Sequence, residues 1–137
     1  MIGIVIVTHG SLAAAFVESA EHVVGEQRQV EALSLKTGDS MEQRREELVQ
    51  AVNRVNAGKG VIILTDMFGG FASSLAMSLL SMPMVEVISG VNLPMLVKLF
   101  SKRQDSSLSE CAIAAQEAGQ KYINIATQLL EPQRKAS

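Results

Sequence analysis

With 137 residues, 47% of them hydrophobic, and a formal net charge of −2, the chain is sized for one domain with a sizeable core. That balance excludes a protein that holds nucleic acid by bulk positive charge. A single cysteine, Cys111, excludes an internal disulfide framework and suggests no cysteine-based zinc site; on an apolar helix face it is expected as a buried, inert thiol.

The N-terminus lacks the basic segment of a signal peptide, and its apolar run is short and β-branched, so a cytoplasmic location is expected. Residues 67–85 carry no charge and are long enough to span a bilayer. They contain Gly69-Gly70, Pro83 and several serines, and Asp66 and Glu86 bracket them. The stretch therefore reads as two elements, and no membrane insertion is expected.

Ile2 to Val7 is almost unbroken aliphatic and reads as a strand buried on both faces, as in a parallel sheet covered by helices. It ends in Thr8-His9-Gly10-Ser11, with Ser11 a candidate N-cap. A helix follows over Leu12–Val24, with Leu12, Phe16, Ala20, Val23 and Val24 on one face and Gly25 as its stop. Val30–Leu35 is a short second strand. After the turn Gly38-Asp39-Ser40, Ser40-x-x-Gln43 matches a capping box. The helix it opens has Met41, Leu48, Val52 and Val55 at helical spacing. Its cluster Glu42, Arg44, Arg45, Glu46 and Glu47 is expected as a solvated face.

Val61–Thr65 is a third strand, apolar on both faces, and delivers Asp66-Met67-Phe68-Gly69-Gly70. A helix over residues 71–80 is broken by Met82-Pro83, and a fourth strand covers 84–88. Pro94 suits the first turn of the next helix, which carries Leu96, Leu99 and Phe100. Ser107-x-x-Glu110 is a second capping box, opening a helix through Cys111, Ala115 and Ala118. Residues 122–126 fit either more helix or an added edge strand, and 131–137 form a polar tail after a single domain over 1–130. Strand and helix alternate, which predicts a doubly wound α/β domain with helices on both faces. Its mainly parallel four-stranded sheet has order 2-1-3-4, with 122–126 available as a fifth edge strand.

In such a sheet, ligands bind beyond the carboxyl ends of the strands at the switch point. Three strand ends are expected there: His9-Gly10-Ser11, Asp66 to Gly70, and Gly90-Val91-Asn92-Leu93-Pro94. Asp66 is within reach of His9 when both strands end at one level. A carboxylate that accepts the proton of one ring nitrogen leaves the other as a nucleophile. Free N–H groups at helix starts near Ser11 and Gly70 suit an anion there. Taken singly, His9 can bond a backbone carbonyl, Asp66 can cap the next helix, and Gly69-Gly70 can be a plain turn. His22 sits on a helix among charged neighbours and reads as an exposed bystander. There is no P-loop and no Gly-x-Gly-x-x-Gly after strand one, and no residue set has metal-ligand spacing.

Three segments carry a family resemblance: residues 3–10, residues 61–70, and Ile88-Ser89-Gly90-Val91-Asn92-Leu93-Pro94-Met95-Leu96. Together they resemble the IIA component of the mannose family of the phosphoenolpyruvate:sugar phosphotransferase system, over nearly the whole chain. The resemblance implies that His9 takes a phosphoryl group from an HPr-like phosphocarrier protein and passes it to a separate IIB component, with Asp66 orienting the histidine. The strand-end loops themselves are expected to supply phosphate contacts from Gly10, Ser11, Gly69, Gly70 and Ser73, and site-lining or partner contacts from Met67, Phe68, Phe71, Asn92 and Pro94. No cofactor or metal is implied. A homodimer with an exchanged C-terminal strand is implied, residues 122–126 being the candidate, as is a place beside a membrane permease complex. The family usually has Gly-Gly-Ser/Thr-Pro after the aspartate; here the segment is Gly69-Gly70-Phe71-Ala72, so a hydroxyl is missing. Two rivals stand beside transport. One is a regulatory role read from the phosphorylation state; the other is a non-enzymatic module that binds a small anion or nucleotide at the same crevice.

Overall fold

The computed structural model describes residues 1–130, so the polar tail expected over 131–137 lies outside the described residues. Ten elements follow in order: β1 (Gly3–His9), α1 (Leu12–Val24), β2 (Val30–Leu35), α2 (Met41–Val55), β3 (Val61–Thr65), α3 (Phe71–Met77), β4 (Val85–Ser89), α4 (Leu93–Lys102), α5 (Leu108–Lys121) and α6 (Ala126–Leu129). The strands form one parallel sheet of order β2-β1-β3-β4.

The two central strands are buried throughout, except for His9 at the end of β1. Side chains alternate across a strand, and the register puts like with like. Ile4 pairs with Ile62 and Ile6 with Leu64, facing α1, α4 and α5. Val5 pairs with Ile63, facing α2 and α3. Each such side chain contributes about 1.5–3 kcal/mol by leaving water, which explains two aliphatic runs with no polar residue before their ends. Gly3 has a different cause: a Cβ there would collide with the Val55 carbonyl oxygen, so the end of α2 crosses β1 where only glycine fits.

Several local expectations shift. The buried face of α1 is Ala13, Phe16, Val17, Ala20 and Val24, while Leu12 and Val23 are exposed, about 100° round the helix from the core-facing row. Ser11 holds the N-cap position but makes no capping bond; Thr8 Oγ1 instead accepts from the Ala13 N–H at 2.7 Å. Ser107 and Glu110 form the full reciprocal capping box, whereas Ser40 accepts from Gln43 N–H without a recorded return bond. The α2 charge cluster is not uniformly solvated, because Arg44 is half-buried between Asp39 and Glu47. The helix α3 ends at Met77. Beyond it, three-residue hydrogen-bonded turns run to Met82, and Met84 at φ 57° delays β4 to Val85.

The described residues hold no fifth strand. The chain turns at Tyr122, runs through 123–125 without sheet pairing, and enters the one-turn helix α6. Cys111 is fully buried, as its helix face predicts. No helix among the described residues is long and apolar enough to cross a membrane.

Opposite His9, at the amino end of the sheet, Arg103 is 2% exposed. Its guanidinium donates to the carbonyls of Ile2, Arg28 and Gln29 and to Gln27 Oε1, and it stacks 5.2 Å over the Phe100 ring. Burial pulls this guanidinium below its ordinary pKa, with no carboxylate among these contacts. The bond from Ile2 N–H to the Arg103 carbonyl closes the same corner, tying the end of α4 to the starts of β1 and β2.

Candidate functional site

His9 is the last residue of β1 and its side chain is 50% exposed. Asp66, one residue past the end of β3, lies beside it. Asp66 Oδ2 accepts from the His9 main-chain N–H at 3.1 Å and is 2.9 Å from His9 Nδ1. Asp66 Oδ1 accepts from the Met67 N–H at 2.9 Å. Partial burial alone pushes this carboxyl up, but the bonds from the His9 N–H, the His9 ring and the Met67 N–H outweigh it and hold the group below its ordinary pKa. An ionised carboxylate only accepts hydrogen bonds. In the neutral ring the proton therefore sits on Nδ1 and the lone pair on Nε2.

Asp66 does not cap the next helix, since the N-cap of α3 is Gly70. Gly70 packs against the ring instead: a Cβ there would lie 3.1 Å from His9 Cε1 and 3.8 Å from Nε2. Gly69 at φ 90° and Gly10 at φ 60° make the two tight turns that bring these loops together. Gly10 donates its N–H to the Leu35 carbonyl at 2.9 Å.

Of the expected phosphate contacts, Gly10, Ser11, Gly69 and Gly70 lie in the loops beside His9, and the Ser11 residue is exposed. Ser73 does not: it is 1% exposed and its hydroxyl lies 3.7 Å from the Met77 sulfur, inside the helix packing. Met67 and Phe68 are exposed on the loop after β3, and Phe71 is half-buried at the start of α3. Asn92 is no part of the His9 surroundings. Its Oδ1 accepts from Met95 N–H and its Nδ2 donates to the Gly119 carbonyl, so it caps α4 and ties it to α5. Pro94 sits in the first turn of α4. The whole loop after β4 is anchored on β3, through Gly90 N–H and Val91 N–H to the Thr65 carbonyl and through the Thr65–Ser89 hydroxyl contact.

The third strand end at His9 is that of β2, not β4. A depression of about 260 Å³ beside the imidazole is lined by His9, Phe71 and the run Leu35-Lys36-Thr37-Gly38-Asp39. The strand order already contained the signal, because β2 and β3 flank β1 while β4 is one strand further away. A larger depression of about 480 Å³ lies elsewhere, between β4 and α5, and contains neither His9 nor Asp66. His22 is exposed in the last turn of α1, away from this corner. Among the described residues no group of three His, Cys, Asp or Glu side chains is placed to hold a metal ion.

A half-exposed histidine with one nitrogen held by a carboxylate, at the carboxyl edge of a four-stranded parallel sheet, marks the candidate site on a doubly wound domain. The chain belongs to the family described as "PTS system fructose IIA component", whose profile matches residues 3–116. It is 34% identical over 124 residues to the mannose-specific EIIAB component of the phosphotransferase system of Escherichia coli K12, covering 89% of this chain and 38% of that protein. The chain thus spans well under half the length of that relative. It is 26% identical to the fructose-specific EIIA component of Bacillus subtilis, covering 100% of this chain and 94% of the other. The crystal structure of the phosphotransferase component EIIA from Streptococcus agalactiae superposes with a TM-score of 0.85 at 25% identity, covering 93% of this chain and 99% of that one.

Proposed function

We propose that this protein is a phosphoryl carrier in which His9 Nε2 accepts a phosphoryl group from an HPr-like phosphocarrier protein and passes it to a IIB component. The observation that carries this reading is the 2.9 Å contact of His9 Nδ1 with Asp66 on an imidazole whose other side is open. The lone pair on Nε2 attacks phosphorus as the bond to the donor's ring nitrogen breaks, and that electron pair leaves with the donor nitrogen. The step balances when the donor ring carries its own N–H and departs as a neutral imidazole. His9 then carries phosphorus on Nε2 and a proton on Nδ1, and the Asp66 carboxylate faces the positive ring so formed. Return of the group to a IIB nucleophile is the same step in reverse.

Exposed Met67 and Phe68 beside His9 offer an apolar contact that both donor and acceptor can share. The phosphorylated form places a phosphoryl dianion on a positive ring, one net negative charge more than the free form at one surface point, so the same residue supports a regulatory reading of its state. The site works in the cytoplasm, beside a permease complex. The homodimer belongs to the same proposal. Tyr122, Ile123 and Ile125 are exposed, and the outer edge of β4 is unpaired among the described residues. Sedimentation at micromolar concentration is expected to give twice the chain mass; a monomer removes both the dimer and the exchanged strand.

The deciding experiment supplies enzyme I, HPr and labelled phosphoenolpyruvate. Wild type and His22→Ala should take up acid-labile, alkali-stable label, and His9→Ala should take up none. Equal labelling of His9→Ala defeats the assignment. A wild type that never labels favours the anion-binding module instead.

A further inference from the structure

A phosphoryl group on Nε2 brings about 1.5–2 negative charges, and the β3 side of His9 has little to meet them. Asp66 is itself a carboxylate, Met67 to Gly70 carry no charge, Phe71 presents an aromatic ring, and Ser73 is turned inward. The β2 side differs. Two charged residues besides His9 line the 260 Å³ depression there, Lys36 and Asp39. Asp39 is committed: its Oδ2 accepts from the Lys36 main-chain N–H at 2.6 Å and lies 3.2 Å from Arg44 Nε. Arg44 is shared further with Glu47. Lys36 is not committed: among the described residues its ammonium makes no ion pair and no hydrogen bond, and it is the one basic residue lining the depression.

The backbone of Lys36 is fixed against His9. Leu35 is the register partner of His9, and the Leu35 carbonyl accepts from Gly10 N–H at 2.9 Å. Asp39 closes the turn over residues 36–39 from both sides, through Lys36 N–H and through its own N–H to the Lys36 carbonyl at 3.1 Å. Lys36 thus starts one residue past the neighbour of His9 on a strand about 4.8 Å away. Its four-carbon stem ends in a compact charge with three donors, a group suited to phosphate oxygens.

We infer that Lys36 binds the phosphoryl oxygens once His9 carries the group, so that the turn after β2 completes a phosphate site whose β3 side has no hydroxyl. This rests on the reading of His9 as the phosphoryl acceptor. Lys36 donates hydrogen bonds only, and the covalent step is unchanged.

The test compares wild type, Lys36→Gln and Lys36→Arg, each charged to completion by enzyme I, HPr and phosphoenolpyruvate. The ³¹P resonance of the phosphohistidine is then titrated across neutral pH. A cation on the phosphoryl oxygens favours the dianion. Lys36→Gln should therefore raise the titration midpoint by about half a unit, roughly threefold in acid dissociation. Lys36→Arg should restore it. The initial rate of charging should fall about tenfold in Lys36→Gln, the size of one hydrogen bond to a charged group. The midpoint decides. If it is unchanged while charging slows, Lys36 serves carrier docking and the inference is overturned; if neither changes, it is overturned outright. A wild type that takes no label overturns the carrier reading first, and the Lys36 assignment with it.

Discussion

The two ends of β1 treat a nitrogen-bearing side chain in opposite ways. At the amino end, the Arg103 guanidinium is buried and its donors are spread over four oxygens and an aromatic face. At the carboxyl end, the His9 imidazole is half exposed, with one nitrogen held by Asp66 and the other open. A buried cation whose two terminal nitrogens are both bonded within the fold stabilises a corner and is closed to a ligand. A ring fixed on one side and open on the other is oriented and still reactive. One seven-residue aliphatic strand therefore has a structural lock packed at its first end and the candidate site at its last.

That contrast breaks if activity and stability fail to separate. The largest effect is expected for His9→Ala, which should abolish phosphoryl uptake and leave the melting temperature within about 2 °C of wild type, as for an exposed substitution. Asp66→Asn comes next. It keeps the shape but can turn its NH₂ toward Nδ1, favouring the wrong tautomer; in the serine-protease triad the equivalent change costs about 10⁴ in rate. In the proposed step the imidazole is itself the nucleophile and has no second proton transfer to manage, so a loss of about 10²–10³ in the initial rate of charging from HPr is expected. Because Gly70 and not Asp66 caps α3, a normal rate in a folded Asp66→Asn protein would remove the carboxylate from the proposed transfer and leave it only its bonds to the His9 and Met67 main chain.

Arg103→Met should show the reverse pattern. The buried Ile2 carbonyl and the half-buried Arg28 carbonyl lose a donor, and about 2–3 kcal/mol of stability should go in denaturant titration. The rate of charging per folded molecule should stay within about twofold. The smallest effect concerns acid. The folded-state pKa of Asp66 lies below its unfolded value, so the unfolded chain binds more protons between the two. The contribution of Asp66 is then full above the ordinary carboxylate range near pH 4 and is lost as pH falls through the folded value. Unfolding free energy of Asp66→Asn, followed from pH 6 to pH 3, should therefore fall less steeply than that of wild type.

How far the sequence reached varies with the kind of signal. Thr8 and Ser11 are both hydroxyl residues before α1, and propensity favours Ser11; the bond goes to Thr8, because its side chain faces inward from the strand at the height of the Ala13 N–H. Asn92 stands on a loop at the carboxyl edge, where ligand contacts are common, yet its amide is consumed by α4 and α5. Ser73 offers a hydroxyl two residues past the place where one is missing, but the helix turns it into the core. Lys36 carries no motif at all. It becomes visible only when β2 is placed beside β1 and His9 is set against Leu35.

What the sequence determined by itself is the sheet and its central pair. Two unbroken aliphatic strands can be satisfied only inside a helix-covered parallel sheet, and the glycine turns at Gly10 and Gly69-Gly70 stop them where His9 and Asp66 emerge. The tertiary structure decided everything that depends on neighbours distant in the chain. It chose which hydroxyl caps and which amide is spent. It admitted only glycine at Gly3 against Val55, buried an arginine without a carboxylate, and made β2 rather than β4 the second flank of the histidine. Pattern and propensity act over a few residues. The partners that satisfy a buried polar group, and the loops that surround an exposed one, come from segments whose order in space the local pattern does not encode.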